Sequence, residues 1–565
     1  MALSPIETEL LRSSLASIVE EMYVALMRSA YSTNIKERRD HSAAIFDADG
    51  RAVMQGESLP LHLASMLGLV EVVIEKYRKE NIRPGDMFIS NDPFVGRGSH
   101  LPDVALLAPV FIDGTLALFV GNIAHHADIG GMSPGSMAGG MTEIYQEGLR
   151  IPPIRIAQDD AVIEDVLDLI LLNVRVPSER RGDYLAQVAA NRLGVRRCAD
   201  LIRKWSLGRV VEGAAAIIAS TAVRMRRGIA EIPDGDYAFS DVVDDDGVGS
   251  QNIPIAVRVT IAGDQIGFDF TGSAPQVRGN INNSISGLQA TVLYAIKSLI
   301  DPEVAPNHGM LDPVRIVAPE GTIVNAAFPA ATAGRAQTCQ RIIDVIYGAL
   351  AQAIPERVIA ASNGANTSVV FSGTGPDGRY YLYMETIGGG AGARSYKDGT
   401  DGVQVHITNT SNLPVEALEK EYPLLIERYE LVGDSGGAGR WRGGLGLRRV
   451  YRPLGHATQF SGQAERFASR PWGLFGGGGG ATGSFAVVDA AGKETRLAAK
   501  PATLPIPEGS VLVVTTPGGG GYGAPAERDA AHLHEDMRGE KFSEAAIEQH
   551  YRSPAARKKT ATRGA

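Results

Sequence analysis

Glycine is the residue type that most restricts how this chain folds. The 565 residues include 66 glycines, which is about 12% of the chain, against about 7% in ordinary proteins. The glycines do not recur at every third position, so a collagen triple helix is excluded. After about residue 365 they separate short strand-like segments, and the series ends in the run Gly518–Gly521. This part of the chain is therefore predicted to be rich in short strands joined by glycine-containing turns.

The N-terminal half has a different pattern, in which helical and strand-like segments are mixed. Ser4-Pro5-Ile6-Glu7 is a capping box with proline at the first helical position, so a helix is predicted to begin there. The spacing of apolar residues predicts one buried stripe on this helix: Ile6, Leu10, Leu15, Ile18, Met22 and Leu26. Strands are predicted at 43–46, 52–54, 86–90, 104–112 and 116–123. Further helices are predicted at about 61–79 and between 160 and 230.

These changes of pattern predict an α+β chain with several domains, in keeping with about 150 residues per domain. Residues 1–235 form a mixed α/β region that contains the candidate site. Residues 236–364 form an α+β middle region, because two-residue alternation gives way to helices at about 286–300 and 336–353. Residues 365–524 form the glycine-rich β region, and 525–565 form a helical tail with a basic end.

Charge and cysteine content exclude several classes of function. The chain carries 55 Lys and Arg against 64 Asp and Glu, a net charge of −9, which argues against nucleic-acid binding. The two cysteines, Cys198 and Cys339, provide no disulfide framework, so a reducing cytoplasm is the expected compartment. No run of 18 apolar residues predicts a membrane span, and no secretory signal is expected at the N-terminus.

Three short motifs resemble those of known enzymes, but their surroundings favour turns. Gly433-Asp-Ser-Gly-Gly437 lacks the upstream histidine segment of chymotrypsin-like proteases. Gly131-Met-Ser-Pro-Gly135 has a proline where a nucleophile elbow would start its helix. Gly478, Gly480 and Gly483 satisfy GxGxxG, but a strand is predicted where a helix should follow. The sequence contains neither a GxxxxGK[ST] loop for ATP nor an HExxH metal motif.

The histidines are concentrated near the N-terminus, since five of the eleven fall in the first 126 residues. His100-Leu-Pro-Asp103 follows a polar segment, and His125-His126-Ala-Asp128 ends an apolar strand. Imidazole and carboxylate groups at strand ends suit a divalent metal with an open coordination position. Histidines that simply cap strands with satisfied hydrogen bonds are an equally good interpretation of this spacing.

A series of ordered motifs along almost the whole chain resembles the hydantoinase B family, the B half of the hydantoinase/oxoprolinase group. The matching segments are Arg39-Asp40-His41-Ser42, Leu59-Pro-Leu-His62-Leu-Ala-Ser-Met66, Asn91-Asp-Pro93, Gly98-Ser-His100-Leu-Pro-Asp103, His125-His-Ala-Asp-Ile-Gly-Gly131, Glu147-Gly-Leu-Arg150 and Gly279-Asn-Ile-Asn282. One departure is His41, since the family usually has an aromatic residue there. Whether His41 joins the site is left open by the sequence.

The resemblance implies a component of an ATP-dependent enzyme that acts on cyclic amides such as hydantoins, lactams or 5-oxoproline. A partner A-type subunit with an actin/sugar-kinase-like ATP site would phosphorylate the amide oxygen. The B-type subunit would complete the reaction at a divalent metal, Zn²⁺ or Mn²⁺. The implied metal ligands are Asp40, His100, Asp103 and His125. Three further residues are implied to orient ligands or move protons: His126, Asp128 and Asp92.

The chemistry of this division of labour is coherent. Resonance makes an amide a poor electrophile, and phosphorylation of its oxygen removes that resonance. A metal lowers the pKa of water and supplies a nucleophile at neutral pH. Two alternatives stay open: the chain is a component of an ATP-dependent ketone carboxylase, or it is a non-catalytic scaffold for the A-type subunit. In each case the expected assembly is a hetero-oligomer.

Overall fold

The computed structural model describes residues 3–56, 60–62 and 66–551. The chain has an α+β fold with several domains, in which mixed sheets and helices precede a region of strands and extended glycine segments. The basic end of the predicted tail lies outside the described residues. Short 3₁₀ turns lie between the main elements at Lys79–Asn81, Ile144–Gln146, His308–Met310 and Pro525–Glu527.

The first region is built on a seven-stranded antiparallel sheet, with strand order β2-β1-β5-β4-β3-β6-β7. Its strands are β1 His41–Asp47, β2 Ala52–Gln55, β3 Met87–Ser90, β4 Asp103–Ile112, β5 Thr115–His125, β6 Ile154–Gln158 and β7 Ala161–Val162. Its helices are α1 Pro5–Ser29, α2 Thr33–Lys36, α3 Leu67–Tyr77, α4 Glu164–Leu172, α5 Pro177–Trp205 and α6 Leu207–Ile229. Side chains from α1, α5 and α6 pack on one face of the sheet and side chains from α3 on the other, so both faces are buried.

Helix α1 shows how the local sequence starts an element and how packing decides which residues it buries. The predicted capping box is present, with Ser4 Oγ accepting from Glu7 N and the Glu7 carboxylate accepting from Ser4 N. The predicted stripe is wrong at its first turns, because Ile6 and Leu10 are 73% and 56% exposed. The buried residues are Leu11, Leu15, Ile18, Val19, Met22 and Leu26.

The middle region has a four-stranded sheet, with order β11-β10-β9-β8 and a parallel pairing between β10 and β11. Its strands are β8 Gly235–Asp245, β9 Gln251–Ala262, β10 Gln265–Asp269 and β11 Val314–Val317. Helices α7 (Ile285–Ile300) and α8 (Arg335–Leu350) pack against one face, and the alternation of buried and exposed residues along β9 follows from that packing. Every residue of α8 is buried, which makes it the central helix of this core.

The C-terminal region holds two antiparallel sheets around a common core. One sheet contains β12 Thr367–Thr374, β13 Tyr380–Ile387, β16 Thr458–Gln463 and β19 Leu504–Ile506. The other contains β14 Leu424–Leu431, β15 Leu447–Pro453, β17 Ser484–Val488, β18 Glu494–Leu497 and β20 Val511–Thr515. The helices of this part are α9 Val415–Glu421, α10 Ala530–Arg538 and α11 Glu544–His550.

The glycine-rich segments pack backbone against backbone. A Cβ on Gly443 would lie 1.9 Å from Gly519 O, and a Cβ on Gly518 would lie 1.9 Å from Ser435 O. Backbone hydrogen bonds join these segments, including those from Gly437 N to Gly519 O and from Gly519 N to Gly444 O. Glycine is therefore required here for close approach of neighbouring segments as well as for turns.

The structure explains two of the three enzyme-like short motifs as local structure. Ser435 Oγ donates to Val432 O and accepts from Gly446 N, so its hydroxyl braces a turn. Strand β17 begins directly after Gly483, as predicted for a GxGxxG sequence that is not a nucleotide-binding loop. These segments therefore serve the fold of the C-terminal region.

Among the described residues, no single helix is long and apolar enough to cross a membrane. One bent pair of helices, α5 and α6, meets that test by length and composition only, with a bend of 106° between them.

Candidate functional site

Antiparallel pairing brings two of the predicted metal ligands side by side. Asp103 is the first residue of β4 and His125 the last residue of β5, and the two are direct cross-strand partners. Because opposite residues of an antiparallel pair project from the same face, both side chains point into one cavity. The backbone of Asp40 adjoins them, since His125 N donates to Asp40 O at 2.9 Å. The polar ends of the three neighbouring strands β1, β5 and β4 thus meet at one end of the sheet.

His100 is held with one ring nitrogen bonded and the other free. Its Nδ1 lies 3.0 Å from the carbonyl oxygen of Ala333, which only accepts, so Nδ1 carries the proton. The lone pair is then on Nε2, which is buried and has no hydrogen-bond partner in the described part of the chain. Burial, followed by the charge of Arg335, lowers the pKa of His100 and keeps the ring neutral. A neutral imidazole with a free Nε2 is the form that binds metals.

Asp103 has one occupied and one unoccupied carboxylate oxygen. Its Oδ2 accepts from Ser99 Oγ at 2.8 Å and from Arg335 Nη2 at 2.6 Å. Its Oδ1 lies 3.3 Å from His100 Nε2 and has no hydrogen-bond partner in the portion described. Burial alone would raise the pKa of this carboxyl, but the opposing charge of Arg335 helps to hold the pKa well below its usual range. Asp103 therefore presents a charged oxygen toward the cavity.

His100, Asp103 and His125 together form a group that could hold a metal ion. One ligand atom from each lies within 4.8 Å of the others, and all three residues are buried. The cavity beside them has a volume of about 30 Å³, which is room for an ion or a water. The free His100 Nε2 and Asp103 Oδ1 fit a divalent metal that accepts mixed nitrogen and oxygen ligands.

Asp40, the fourth predicted ligand, lines the same cavity but stands outside this close group. Its Oδ1 is 3.9 Å from His62 Nε2, and its Oδ2 is 3.9 Å from Arg38 Nη2. Burial raises the pKa of Asp40 to about 6, against the lowering effect of Arg38. His62 Nε2 therefore lies within 4 Å of both carboxylates that line the cavity, since it is 3.6 Å from Asp103 Oδ1.

Three residues of the site were missed by reasoning from the sequence. His62 lies between the two aspartates, with Nε2 3.6 Å from Asp103 Oδ1 and Nδ1 2.9 Å from Ser42 Oγ. Arg335 pairs with Asp103 from a position 232 residues along the chain. Asn366 lines the cavity with its Oδ1 unpartnered among the described residues. His62 stands in one of the quoted family segments and could have been proposed from it, whereas nothing local in the sequence indicates Arg335 or Asn366.

His126 and His41 lie on the opposite face of the sheet from the cavity, because successive strand residues alternate in direction. His126 donates from Nε2 to Gln187 Oε1 at 3.0 Å and stacks on Tyr184, which belongs to α5. His41 stacks on Tyr23 of α1, and its Nε2 is 3.1 Å from Tyr23 O. Burial lowers the pKa of each to about 4. His41 therefore packs behind the site, which answers the question that the sequence left open.

Asp92 and Asp128 hold loops that border the site. The Asp92 carboxylate accepts from Phe94 N and Val95 N, both at 2.8 Å, and pairs with Arg150 Nε at 2.6 Å. The Asp128 carboxylate accepts from two backbone groups of its own loop and pairs with Arg175 Nη1 at 2.9 Å. Neither residue lines the cavity. Their contacts position backbone, and their proton-moving role stays a prediction, as does that of His126.

The chain is similar to proteins of one family along nearly its whole length. The profile of the hydantoinase B/oxoprolinase family matches residues 4–525. The B component of a putative D-/L-hydantoinase from Pseudomonas sp. (strain NS671) is 34% identical, covering 94% of this chain and 92% of that protein. The beta component of the caprolactamase of Pseudomonas jessenii is 32% identical over 94% of this chain and 93% of that protein.

Solved structures give the same picture of the fold. The crystal structure of an ATP-dependent caprolactamase from Pseudomonas jessenii superposes with a TM-score of 0.92 at 28% identity, covering 97% of this chain and 96% of that one. An acetone carboxylase structure superposes with a TM-score of 0.90 at 18% identity, covering 97% of this chain and 79% of that one. At that identity, the likeness to the carboxylase shows the fold alone.

Proposed function

This chain belongs to the hydantoinase B/oxoprolinase family, and we propose that it is the metal-bearing B-type subunit of an ATP-dependent hydrolase that opens cyclic amides. The observation that carries the proposal is the pair of unpartnered, buried ligand atoms, His100 Nε2 and Asp103 Oδ1, beside His125. Relatives named as components of a hydantoinase and a caprolactamase support the substrate class and the presence of a partner chain.

The proposed metal is Zn²⁺ or Mn²⁺, held by His100, Asp103 and His125, with Asp40 as the nearby fourth ligand. A bound divalent metal would supply Lewis acidity and lower the pKa of water toward neutrality. The protein contributes a neutral His100, fixed by the Ala333 carbonyl, and a charged Asp103, fixed by Arg335. These contacts prepare the ligand atoms before an ion enters, which reduces the cost of ordering them.

ATP is proposed to be used on an A-type partner with an actin/sugar-kinase-like fold, because this sequence has no phosphate-binding loop. Transfer of the γ-phosphoryl group to the amide oxygen forms a C–O–P linkage and releases ADP. Addition of water to the ring carbon then breaks the C–N bond, leaving an acyl phosphate. A second water releases phosphate and the free carboxylate, so the products are ADP, phosphate and an amino acid from a lactam or 5-oxoproline, or an N-carbamoyl amino acid from a hydantoin.

The charges around the cavity favour the activated form of such a substrate. Arg335 lines the cavity, and Arg38 lies behind it, bonded to Thr386 Oγ1 at 2.8 Å. A cyclic amide is neutral, whereas its phosphorylated form is an anion. With a divalent metal bound, the two arginines and the metal carry four positive charges, against two negative charges on ionised Asp40 and Asp103. The surplus of positive charge would attract the phosphorylated ring.

The deciding experiment is reconstitution with the A-type partner as a hetero-oligomer. We expect about one Zn²⁺ or Mn²⁺ per chain and ring opening of a hydantoin, lactam or 5-oxoproline that depends on ATP. The isolated chain should neither bind ATP tightly nor open the ring. Strong ATP hydrolysis by this chain alone would contradict the proposal. Turnover that requires a ketone and bicarbonate would replace the hydrolase by a carboxylase, and full activity without metal would favour a scaffold.

Asp103→Asn separates activation from ring opening in the complex. The amide keeps the shape of the carboxylate but removes the charge that holds the metal. Phosphorylated substrate should then form and decay without ring opening, so the ratio of phosphate released to ring opened should rise several-fold. If both rates fall together at an unchanged ratio, Asp103 serves coupling or assembly instead.

A further inference from the structure

Glu147 is a fully buried carboxyl that binds backbone instead of a cation. It follows the 3₁₀ turn Ile144–Gln146 and is 0% exposed. Its Oε1 accepts from Thr332 N at 2.6 Å and from Ala333 N at 2.7 Å. Within the described ranges, no Lys or Arg nitrogen lies within ion-pair distance of it. A buried acid with this arrangement fixes the position of the peptide segment that it binds.

The segment that Glu147 binds reaches two of the proposed metal ligands. The carbonyl of Ala333 accepts from His100 Nδ1 at 3.0 Å. Two residues later, Arg335 begins α8 and donates to Asp103 Oδ2 at 2.6 Å. Ala333 therefore uses its N–H toward Glu147 and its C=O toward His100. The short stretch 332–335 connects one buried acid to both sides of the site.

We propose that Glu147 is a positioning residue, which acts through the 332–335 segment to keep His100 in the tautomer with a free Nε2 and Arg335 on Asp103. This inference rests on the proposed metal function and adds a residue to which the sequence patterns assign no role. Glu147 touches neither the cavity nor the ligands. Its effect passes through the Ala333 carbonyl and the start of α8.

The physical consequence of losing Glu147 follows from these bonds. Without the carboxyl, two buried N–H groups lack acceptors, and the segment moves to find others. The Ala333 carbonyl then no longer holds the proton on His100 Nδ1. The tautomer with the proton on Nε2 becomes populated, and in that form Nε2 has no lone pair for a metal.

The conservative variant is glutamine. Burial raises the pKa of Glu147 to about 8, against the lowering effect of its backbone hydrogen bonds, so the neutral acid predominates at pH 7. Both N–H groups bond to the same oxygen, Oε1, and a glutamine carbonyl oxygen can accept both. Glu147→Gln should therefore keep the segment in place, whereas Glu147→Ala should release it.

The test measures metal affinity of the full-length chain. Metal-stripped wild type, Glu147→Gln, Glu147→Ala and Glu147→Asp are titrated with Zn²⁺ against a chromophoric chelator. We expect binding about 10- to 100-fold weaker for the Ala and Asp variants, as for other residues that support metal ligands, and within about 3-fold of wild type for Gln. The Asp variant retains a carboxyl, but its shorter side chain does not reach Thr332 N and Ala333 N. It replaces the Ala variant in the test if the Ala variant does not fold.

A matched control is Glu385, another fully buried glutamate. It accepts from Leu413 N and pairs with Arg449, which follows it by 64 residues in the chain. Glu385→Ala should lower the unfolding temperature and leave Zn²⁺ affinity unchanged. If Glu147→Ala does the same, with wild-type Zn²⁺ affinity and a lower unfolding temperature, its role is structural only and the inference is overturned.

A second readout does not need the metal. In ¹⁵N-histidine-labelled, metal-free protein, the His100 ring should report the Nδ1–H tautomer in wild type and Glu147→Gln, and a mixture in Glu147→Ala. His100→Gln assigns the resonance. An unchanged tautomer in Glu147→Ala contradicts the inference even if Zn²⁺ binding falls. If wild type binds neither Zn²⁺ nor Mn²⁺, the proposed function fails, while this measurement still decides the role of Glu147.

Discussion

Two clusters of charged side chains are buried in this protein, and they differ in how their charges are matched. The ligand cluster, at the ends of strands β4 and β5 of the first sheet, consists of His100, Asp103 and His125. The arginine cluster, between α8 and the C-terminal strands, consists of Arg341, Asp344, Glu465 and Arg466. Burial is nearly complete in both. Burial of charge therefore does not by itself indicate which cluster is functional.

The arginine cluster is closed by ion pairs. Arg341 Nη1 lies 3.0 Å from Asp344 Oδ2 and its Nη2 lies 3.2 Å from Glu465 Oε2. Arg466 Nη2 pairs with the same Asp344 oxygen at 3.0 Å, and Lys500 pairs with the other Glu465 oxygen. The remaining Asp344 oxygen faces His406 Nε2 at 3.5 Å, and neither of these two atoms has a hydrogen-bond partner among the described residues. Each negative charge thus meets a positive one, and the cluster joins the middle region to the C-terminal region.

In the ligand cluster, His100 Nε2 and Asp103 Oδ1 are likewise unpartnered among the described residues, but these two atoms lie beside a cavity. Leaving such atoms unsatisfied costs about 1–3 kcal/mol each, and the adjacent cavity gives a ligand room to satisfy them. Buried charges joined in a network of ion pairs hold regions together, whereas unpartnered ligand atoms beside a cavity mark a candidate site.

The largest effect is expected from Arg341→Leu, which removes the guanidinium shared by Asp344 and Glu465 and leaves only Arg466 and Lys500 as their cationic partners. Breaking a buried ion pair from one side costs about 3–5 kcal/mol of unfolding free energy. Urea unfolding followed by circular dichroism should show this loss, while Zn²⁺ affinity of the folded protein stays unchanged. Arg12→Leu is the control, because its pair with Glu9 is exposed and should contribute less than about 1 kcal/mol. Equal losses for both variants would contradict the assigned role of the arginine cluster.

The next effect concerns pH and Glu147, the uncompensated acid near the ligand cluster. Its folded pKa of about 8 lies above the ordinary value of 4.5, so its stabilising contribution is complete below pH 4.5 and is lost as pH rises through 8. Between pH 5 and 8, the unfolding free energy of metal-free wild type should fall by roughly 3 kcal/mol more than that of Glu147→Gln. Unfolding free energies of both proteins across that range check this, and parallel curves would refute the raised pKa.

His100→Ala should reduce Zn²⁺ affinity by about 100-fold, or about 2.7 kcal/mol, because it removes one of the three grouped ligands, and the lost bond to Ala333 O should lower the unfolding free energy by about 1 kcal/mol. His41→Phe is the matched control on the other face of the sheet, where an aromatic ring preserves the stacking on Tyr23. It should bind Zn²⁺ within about 3-fold of wild type. Comparable loss in both variants would mean that the effect reflects the fold of the sheet and not ligation.

The smallest effect is expected from Asp92→Asn. The amide oxygen keeps the turn bonds to Phe94 N and Val95 N but loses the ion pair with Arg150. Stability should fall by about 1 kcal/mol, and Zn²⁺ affinity should not change. In the reconstituted complex, a large drop in turnover at constant metal content would show that Asp92 moves protons, as the family resemblance implies.

Much of the local structure could be predicted from the sequence, because it depends on neighbours in the chain. The strand predictions at 86–90, 104–112 and 116–123 correspond closely to Met87–Ser90, Asp103–Ile112 and Thr115–His125. The helices predicted at about 286–300 and 336–353 correspond to Ile285–Ile300 and Arg335–Leu350. Where prediction failed, as for Ile6 and Leu10 of α1, the spacing was misjudged, because a five-residue step separates Leu10 from Leu15 and places both failed positions on the other side of the helix from the buried stripe.

For the candidate site, the alternation of strand residues decides which predicted residues face the cavity. It separates His125 from His126 and Asp40 from His41, but only once the strand boundaries and the buried faces are known. Motif resemblance grouped His126, Asp92 and Asp128 with the site because they are close in sequence. In space, these three bond to α5 or to the loops beside the cavity.

The sequence by itself determined the family, the α+β pattern, the capping of α1 and the ligand types at two strand ends, since each depends on residues within a few positions of one another. Only the tertiary structure decided which atoms of those ligands are free. His100 takes its acceptor from Ala333, 233 residues away, and Asp103 takes its cation from Arg335, 232 residues away. The tautomer of an imidazole and the charge of a buried carboxylate are set by such distant partners, because in a low-dielectric interior the nearest donor or cation fixes the proton.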